Sequence, residues 1–417
     1  MSEPVSGAQP DVVNVDDLVS RIVSSVSPLA DFPLPLMEAF GMAVAEDVVA
    51  EVALPSFDNS AMDGYAVRAA DVAGASADEP VHLPVVGEIS AGRAAHLALS
   101  PGTAVKIMTG APVPAGADAV VPYEWTDRGV VSVRIERGVE TGANIRRAGE
   151  AVQAGDLVVE HGTVLGPRHL GLLASIGRAT VRSRPRPRVV VISTGSELRD
   201  PGTPLGHDSI YDGNSYLLAA AARQAGATAY RVGIVPDDVR SFTEALSDQL
   251  VRADLVITSG GVSEGDYDVV KEALGGLGTV WFGKVAMQPG RPQGFGVVGE
   301  DEVPIFCLPG NPVSAYVSFE TFVLPALRTM MGKTPASRPT RRARLTDPIT
   351  STPGKRQLVR ARYGTDRGGA FATPVGGHGS HMIGDLASSN ALVVVPEESS
   401  GVSAGEMVQV LCLDEDF

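Results

Sequence analysis

Four short stretches, each with glycine and between them carrying hydroxyls, an amide and acids, suit chemistry on a phosphate. Ile192-Ser193-Thr194-Gly195-Ser196-Glu197 ends the first of a series of apolar, β-branched runs. Ser259-Gly260-Gly261-Val262-Ser263 ends a later run, and Gly265-Asp266-Tyr267-Asp268 opens the helical stretch after it. Leu308-Pro309-Gly310-Asn311-Pro312 ends the last. Glycines let backbone N–H groups approach a phosphate, and hydroxyls add donors. Acids beside such a cradle need a cation between themselves and phosphate. Glu197 and Asp268 therefore point to Mg²⁺ held jointly by carboxylate and substrate phosphate. Any one stretch could be a turn or cap only. Four of them at strand ends of one sheet favour a ligand site.

Three further motifs lie in the first half of the chain. Residues 55–68, Pro55-Ser56-Phe57-Asp58-Asn59-Ser60-Ala61-Met62-Asp63-Gly64-Tyr65 and onward, place acids, an amide and a hydroxyl together without an apolar period. The bland reading is a cluster of Asx turns. Residues 106–114 end a strand-like run in the hydroxyl-bearing turn Thr109-Gly110. Asn144-Ile145-Arg146-Arg147-Ala148-Gly149-Glu150 carries paired arginines that could grip an oxyanion bidentately.

The elements that must position these residues follow from periodicity. Asn14 caps a helix with Val15, Leu18, Ile22, Val23 and Val26 on its apolar face. A second helical pattern runs from Leu36 to Val49. From Glu51 to Gly149 short β-like runs (Val81–Val86, Ala104–Met108, Val130–Ile135) alternate with turn residues. Leu157–Val164 reads as a strand and Pro167–Ile176 as a helix. The stretch 182–188, with alternating Arg and Pro, reads as a hinge. From Val189 the pattern becomes βα repeats. The strands are Val189–Ile192, Tyr230–Ile234, Leu255–Thr258 and Pro304–Leu308. The helices are Asn214–Gln224, Asp237–Arg252, Tyr267–Leu274 and Pro312–Met331. This predicts a mainly parallel sheet covered on both faces. The final segment returns to β texture at Arg356–Tyr363, Ala391–Val395 and Met407–Leu413. The fold class expected is multidomain α/β.

The chain has 417 residues and a net charge of −15, so general nucleic-acid binding is not expected. A local nest of N–H groups can still hold an anionic small molecule. Cys307 and Cys412 stand apart in apolar surroundings and read as reduced core residues, not zinc ligands. No run suits a secretion signal or membrane span, and cytoplasm is the expected location.

Taken together, PSFDNSAMDGYAVR (55–68), KIMTGAPVP (106–114), NIRRAGE (144–150), STGSEL (193–198), IYDGN (210–214), SGGVS (259–263) and LPGNPVSA (308–315) resemble the molybdopterin molybdenumtransferases, a type also found as the C-terminal domain of gephyrin. The motifs stand in the family's order from about residue 15 to the end. SGGVS and PGNP alone would be less specific. Molybdopterin adenylyltransferases and a competence-damage-inducible type of pyrophosphatase share that domain.

The resemblance implies binding of adenylylated molybdopterin, hydrolysis of its phosphoanhydride with Mg²⁺ and molybdate, and release of AMP. It implies an elongated domain (15–50 with 150–184), a β-rich domain (51–149), a molybdopterin-binding-like α/β domain (185–334) and a C-terminal β-barrel-like domain (335–417). It implies a homodimer, with a molybdopterin adenylyltransferase as a candidate partner. By motif, Asp63, Thr109, Glu197 and Asp268 are the catalytic candidates. Glu197, Asp237, Asp238 and Asp268 are the metal candidates. Ser193, Thr194, Gly195, Asp212, Asn214, Gly260, Gly261, Ser263, Arg291, Pro309, Gly310, Asn311 and Pro312 are expected to bind substrate, and Arg146, Arg147 and Gln288 are oxyanion candidates. Two departures stand out. The family often has two lysines where this chain reads Gln288-Pro289-Gly290-Arg291, and Ala151 replaces an acid that often follows the paired arginines. Two rival readings are adenylyl transfer from ATP, which would not need residues 15–150, and a non-catalytic scaffold, which would not need intact acids.

Overall fold

Asn14 accepts a hydrogen bond from the Asp16 N–H at 2.8 Å and so caps α1 (Val15–Ser25). Asp16 and Asp17 follow in the first turn, where the helix dipole favours them. The structure, a computed structural model, describes residues 12–92, 97–262 and 268–417. It divides into two units. One holds the described residues up to Phe32, then Gly41–Ala45 and Arg182–Phe417. The other holds Pro33–Phe40 and Glu46–Val181. The expected 15–50 segment is thus shared between both.

The second unit is built on a five-stranded sheet of β1 (Gly64–Val67), β2 (Val81–Ile89), β3 (Ala104–Ile107), β4 (Ala119–Pro122) and β5 (Ser132–Ile135). The spatial order is β4-β1-β3-β2-β5. Only the β2–β3 pair is parallel. Alternate residues feed opposite cores, as the pleat requires. Tyr65, Val67, Val121 and Val133 lie in one, and Ala66, Val105, Ile107 and Val120 in the other. The same unit contains α2 (Pro167–Ser175).

The first unit centres on a seven-stranded sheet. In chain order its elements are β6 (Arg188–Ser193), α3 (Asn214–Gln224), β7 (Thr228–Arg231), α4 (Val239–Leu250), β8 (Leu255–Ser259), α5 (Val269–Gly275), β9 (Val280–Val285), β10 (Pro292–Val298) and β11 (Val303–Leu308). The order across the sheet is Val12–Val13, β9, β10, β11, β8, β6, β7. Strands β11, β8, β6 and β7 are mutually parallel, and β10 runs antiparallel between β9 and β11. Val189 and Val191 of β6 pack with Leu218 of α3, and Val190 and Ile192 with Phe242 and Val270 of α4 and α5. Both faces are therefore covered, which is why β6 reads as a continuous apolar run. Val15, Leu18 and Ile22 of α1 join the α3-side core.

After β11 come α6 (Pro312–Ser318), a π-helical turn at Phe319–Val323 and α7 (Leu324–Met330). Beyond them β12 (Thr340–Leu345), β13 (Arg356–Asp366), β14 (Gly369–Pro374), β15 (Ala391–Val395) and β16 (Met407–Cys412) close on themselves. Around the ring β13 pairs β14, β14 pairs β12, β12 pairs β16, β16 pairs β15, and β15 returns to β13. A closed barrel leaves no free edge among these strands.

Several sequence expectations need correction. Residues 36–41 form turns, not a helix, and the segment ends in the two-residue strand Val48–Val49. Its apolar residues sit among Gly41 and Pro33/Pro35, which break a helix. The strand expected from Val130 starts at Ser132, with Val130 and Val131 left exposed. Leu157–Val164 shrinks to Leu157–Val159, and Tyr230–Ile234 shifts to Thr228–Arg231. The helix expected from Asp237 begins at Val239, because Asp238 is its cap. The helix expected from Tyr267 is described from Val269. The Pro312–Met331 helix carries the π turn. Strands β9 and β10, with the antiparallel pairings they bring, were not foreseen.

Candidate active site

The carboxyl ends of β6, β8 and β11 converge, as the parallel order dictates. Their loops and the start of α3 enclose a cavity of about 370 Å³. Its lining includes Ser193, Thr194 and Glu197 after β6, and Asp212 and Asn214 at α3. Ser259 and Gly260 after β8 join it, as do Gly310, Asn311 and Pro312 after β11. These are mostly residues singled out from sequence spacing. Gly195 lies in the first of these loops. The Pro309 that precedes Gly310 is buried.

The walls are held by side-chain bonds. Asn214 Nδ2 donates to Ser259 Oγ at 2.9 Å and to the Gly310 carbonyl at 2.6 Å, tying three loops together. Asp212 is buried, and its carboxylate accepts from Ser193 Oγ, Ser215 N and Ser215 Oγ at 3.2, 3.0 and 2.6 Å. It thereby fixes the start of α3 and has little capacity left for a ligand. Gly260 and Gly261 both have positive φ, +95° and +69°. At Gly261 an added Cβ would lie 2.7 Å from Val270 Cγ2, so this turn requires glycine to pass under α5. Thr194 Oγ1 is buried without a hydrogen-bond partner. A buried hydroxyl in that state favours a site that receives a polar ligand.

The acids divide by role. Glu197 is exposed at the cavity wall. Asp237 accepts from Ser196 N at 2.8 Å and so braces the turn that carries Glu197. Asp238 accepts from Ser241 N as the cap of α4, and that bond holds its carboxyl below the usual range. Asp268 precedes α5 and is not among the cavity-lining residues. Ser263 and residues 265–267 lie outside the described residues. Among the described residues no group of three or more His, Cys, Asp or Glu is placed to hold a metal.

Gln288 and Arg291 stand elsewhere. Gln288 lines a small recess of about 20 Å³ with Gln357, Arg360 and His378. Arg291 is exposed, and its carbonyl accepts from Val285 N. Sequence reasoning missed two cavity residues, His381 and Ile383, which come from the barrel segment. The glycine-rich run Gly376-Gly377-His378-Gly379-Ser380-His381 was the available signal.

In the second unit the three early motifs knot together. Ser60 N donates to the Ala111 carbonyl, Gly110 N to the Ser60 carbonyl and Ala61 N to the Asn144 carbonyl. Asp63 Oδ1 accepts from both Thr109 N (2.7 Å) and Thr109 Oγ1 (2.8 Å). Asp58 accepts from Ala148 N (2.8 Å) and from Arg147 Nη1 (2.6 Å). These bonds hold both carboxyls below their ordinary range, the backbone N–H being the larger cause in each. Arg147 is thus engaged by Asp58. Arg146 is exposed on the short strand Ile145–Arg146 that pairs with Asn59–Ser60.

Three family models match successive parts of the chain. The family model for the MoeA N-terminal region (domain I and II) matches residues 13–177. The "Probable molybdopterin binding domain" matches 190–329, and the MoeA C-terminal region (domain IV) matches 342–413. Molybdopterin molybdenumtransferase 2 of Mycobacterium tuberculosis is 50% identical, covering 94% of this chain and 97% of its own length. The molybdopterin molybdenumtransferase of Bacillus subtilis is 36% identical, covering 97% and 95%. A crystal structure of a molybdopterin biosynthesis MoeA protein from Pyrococcus horikoshii covers 97% of this chain and 100% of its own, with TM-score 0.84 and 31% identity.

Proposed function

The chain belongs to the molybdopterin molybdenumtransferase family, enzymes of molybdenum cofactor biosynthesis, and on that premise we propose that the cavity at the ends of β6, β8 and β11 takes adenylylated molybdopterin as substrate, inserts molybdate and releases AMP. The observation that carries this is the convergence of three glycine and hydroxyl loops, tied by Asn214, around a buried hydroxyl without a partner. Backbone N–H groups of the turns after β8 and β11 would supply phosphate donors, with Ser193, Thr194 and Ser259 beside them. Hydrolysis breaks one P–O bond of the anhydride and adds the elements of water, giving AMP and the pterin phosphate.

The donor set suits a hard cation. Glu197 is an exposed carboxylate beside a phosphate cradle with no Lys or Arg among its described lining residues. Mg²⁺ would be held by Glu197 together with the substrate phosphate, Asp237 and Asp268 being further motif acids that do not line the cavity, and when bound it would neutralise charge developing on the leaving phosphate. Asp238 is the weakest metal candidate, since it caps α4. Asp63 and Thr109 offer a preorganised acid–hydroxyl pair, and the exposed Arg146 offers a positive donor to molybdate, whereas Arg147 is engaged by Asp58 and Gln288 and Arg291 stand away from the cavity. We further propose a homodimer in which the second unit of one subunit faces the cavity of the other, a molybdopterin adenylyltransferase as supplier of substrate, and a cytoplasmic location. Among the described residues no helix is long and apolar enough to cross a membrane.

The test is AMP release from adenylylated molybdopterin with Mg²⁺, with and without molybdate. Molybdate-dependent release is expected. Release of AMP with no dependence on molybdate, or consumption of ATP in place of the adenylylated substrate, would overturn the reading.

A further inference from the structure

Ser193 and Ser259 are one residue type in one setting. They end the adjacent parallel strands β6 and β8, face each other in the register of the sheet and line the cavity, and both are buried. Neighbouring strands lie about 4.8 Å apart, so the two hydroxyls form one polar edge. Their hydrogen bonds are nevertheless opposite in sense, and each sense is forced by a partner that can act only one way.

At Ser259 the forcing group is the Gly310 carbonyl, which only accepts. The Asn214 atom 2.6 Å from it is therefore the amide nitrogen, and that same nitrogen lies 2.9 Å from Ser259 Oγ. Ser259 accepts there, and its own proton stays available. At Ser193 the sense is set by a chain of bonds that begins at Arg231, whose guanidinium only donates. Arg231 Nε donates to Ser215 Oγ at 2.8 Å, so the Ser215 proton goes to Asp212 Oδ2 at 2.6 Å. Asp212 Oδ1 accepts from Ser215 N at 3.0 Å and from Ser193 Oγ at 3.2 Å. The Ser193 proton is spent inside the wall, and only lone pairs remain for the cavity.

We infer that this pair of serines sets which way round a ligand lies. Ser259 donates to a phosphate oxygen, Ser193 accepts from a hydroxyl or N–H of the same ligand, and Asn214 is the positioning residue that keeps the Ser259 proton available. The inference rests on the reading of the cavity as the adenylylated-substrate site and deepens it by giving the phosphate one side of that site. Deprotonated phosphate oxygens only accept. Against Ser193 they would meet lone pairs, whereas Ser259 offers them a proton. Asp212 and Arg231 therefore act on specificity without touching the phosphate.

The experiment is titration of the full-length enzyme with AMP and, separately, with adenosine, for the parent chain, Ser259→Ala, Ser193→Ala and Asn214→Asp. The quantity read is the ratio of AMP to adenosine affinity, which isolates the phosphate. Ser259→Ala is expected to lower it about tenfold, the scale of one hydrogen bond to a charged group. Ser193→Ala should leave it at the parent value. Asn214→Asp puts a carboxylate oxygen where the amide nitrogen was, so it captures the Ser259 proton and the ratio should fall as in Ser259→Ala. If that variant does not fold, the two alanine variants decide. An unchanged ratio in Ser259→Ala overturns the inference, and so does an equal fall in both alanine variants, with the cavity assignment left standing in either case. If the parent enzyme itself binds neither AMP nor adenosine, the cavity reading falls and this inference falls with it.

Discussion

The two motif-bearing regions spend their acids in different ways. In the α/β unit the loops after β6, β8 and β11 are placed by a sheet buried on both faces, and Asp212 and Asp237 brace them. Glu197 is then left at the wall. In the β-rich unit the loops hang on a smaller sheet and are tied by the acids themselves. Asp63 holds Thr109, and Asp58 holds Ala148 and Arg147. A carboxylate that fixes loop geometry is partly consumed by that task. One that stands beside a rigid cradle is free for chemistry. Asp63 is intermediate, since both of its bonds end on Oδ1 and a second oxygen remains for a ligand.

Substitutions can break this contrast. Glu197→Ala should lower AMP release at least about 100-fold, the scale of losing a metal-organising group, with an unchanged melting temperature. A large drop in stability would show that Glu197 also holds structure, and the contrast would fail. Asp63→Ala should cost roughly 10- to 100-fold in activity and also loosen the Thr109 turn, because it removes an acceptor and a catalytic candidate together. Asp63→Asn keeps one acceptor oxygen without the charge. Its activity should lie between Ala and parent if the bond matters, and match Ala if the charge does.

Much of the α/β half could be read in the sequence, because doubly covered parallel strands are continuous apolar runs and their ends are marked by glycine. Ser193, Gly260 and Asn311 were found this way. Strands β9 and β10 escaped. Gly283 and Lys284 in β9, and Gln293, Gly294 and Gly296 in β10, interrupt the apolar run. His381 escaped for another reason. Nothing local says that a barrel loop returns to the α/β cavity, since the Ser380 carbonyl beside it accepts from Val313 N, which is remote in sequence. In the β-rich half the motifs were visible but their bonding was not. The pairing of Asp58 with Arg147 spans 89 positions. The arginine pair therefore read as an oxyanion grip, although one member is engaged in an ion pair.

The backbone basis of the cavity can be tested without touching an acid. Gly261→Val forces a side chain into φ +69° and to 2.7 Å from Val270 Cγ2. It should cost about 1–3 kcal/mol, visible as a lower melting temperature, together with weaker substrate binding. Parent-like melting would mean that the turn relaxes easily and that the cavity is less rigid than the contrast requires.

The smallest effect concerns pH and lies in the β-rich unit. The folded-state carboxyls of Asp58 and Asp63 are depressed by hydrogen bonds from Ala148, Arg147 and Thr109. A depressed carboxyl contributes stability that is present above its unfolded value, about 3.9, and is lost as pH falls through the folded value. Asp63 is exposed and Asp58 partly so, which makes the gain modest and screened by salt. Amide hydrogen exchange at Thr109 and Ala148, corrected for intrinsic pH dependence, should therefore keep its protection from neutral pH down to about 4 and lose it below. The α/β cavity amides of Gly195 and Gly260, which donate to the backbone carbonyls of Val235 and Leu308, should not follow. Loss of protection already near pH 6 would assign the loops to a different titrating group. Loss in both units together would mean that the cavity, too, depends on its carboxylates.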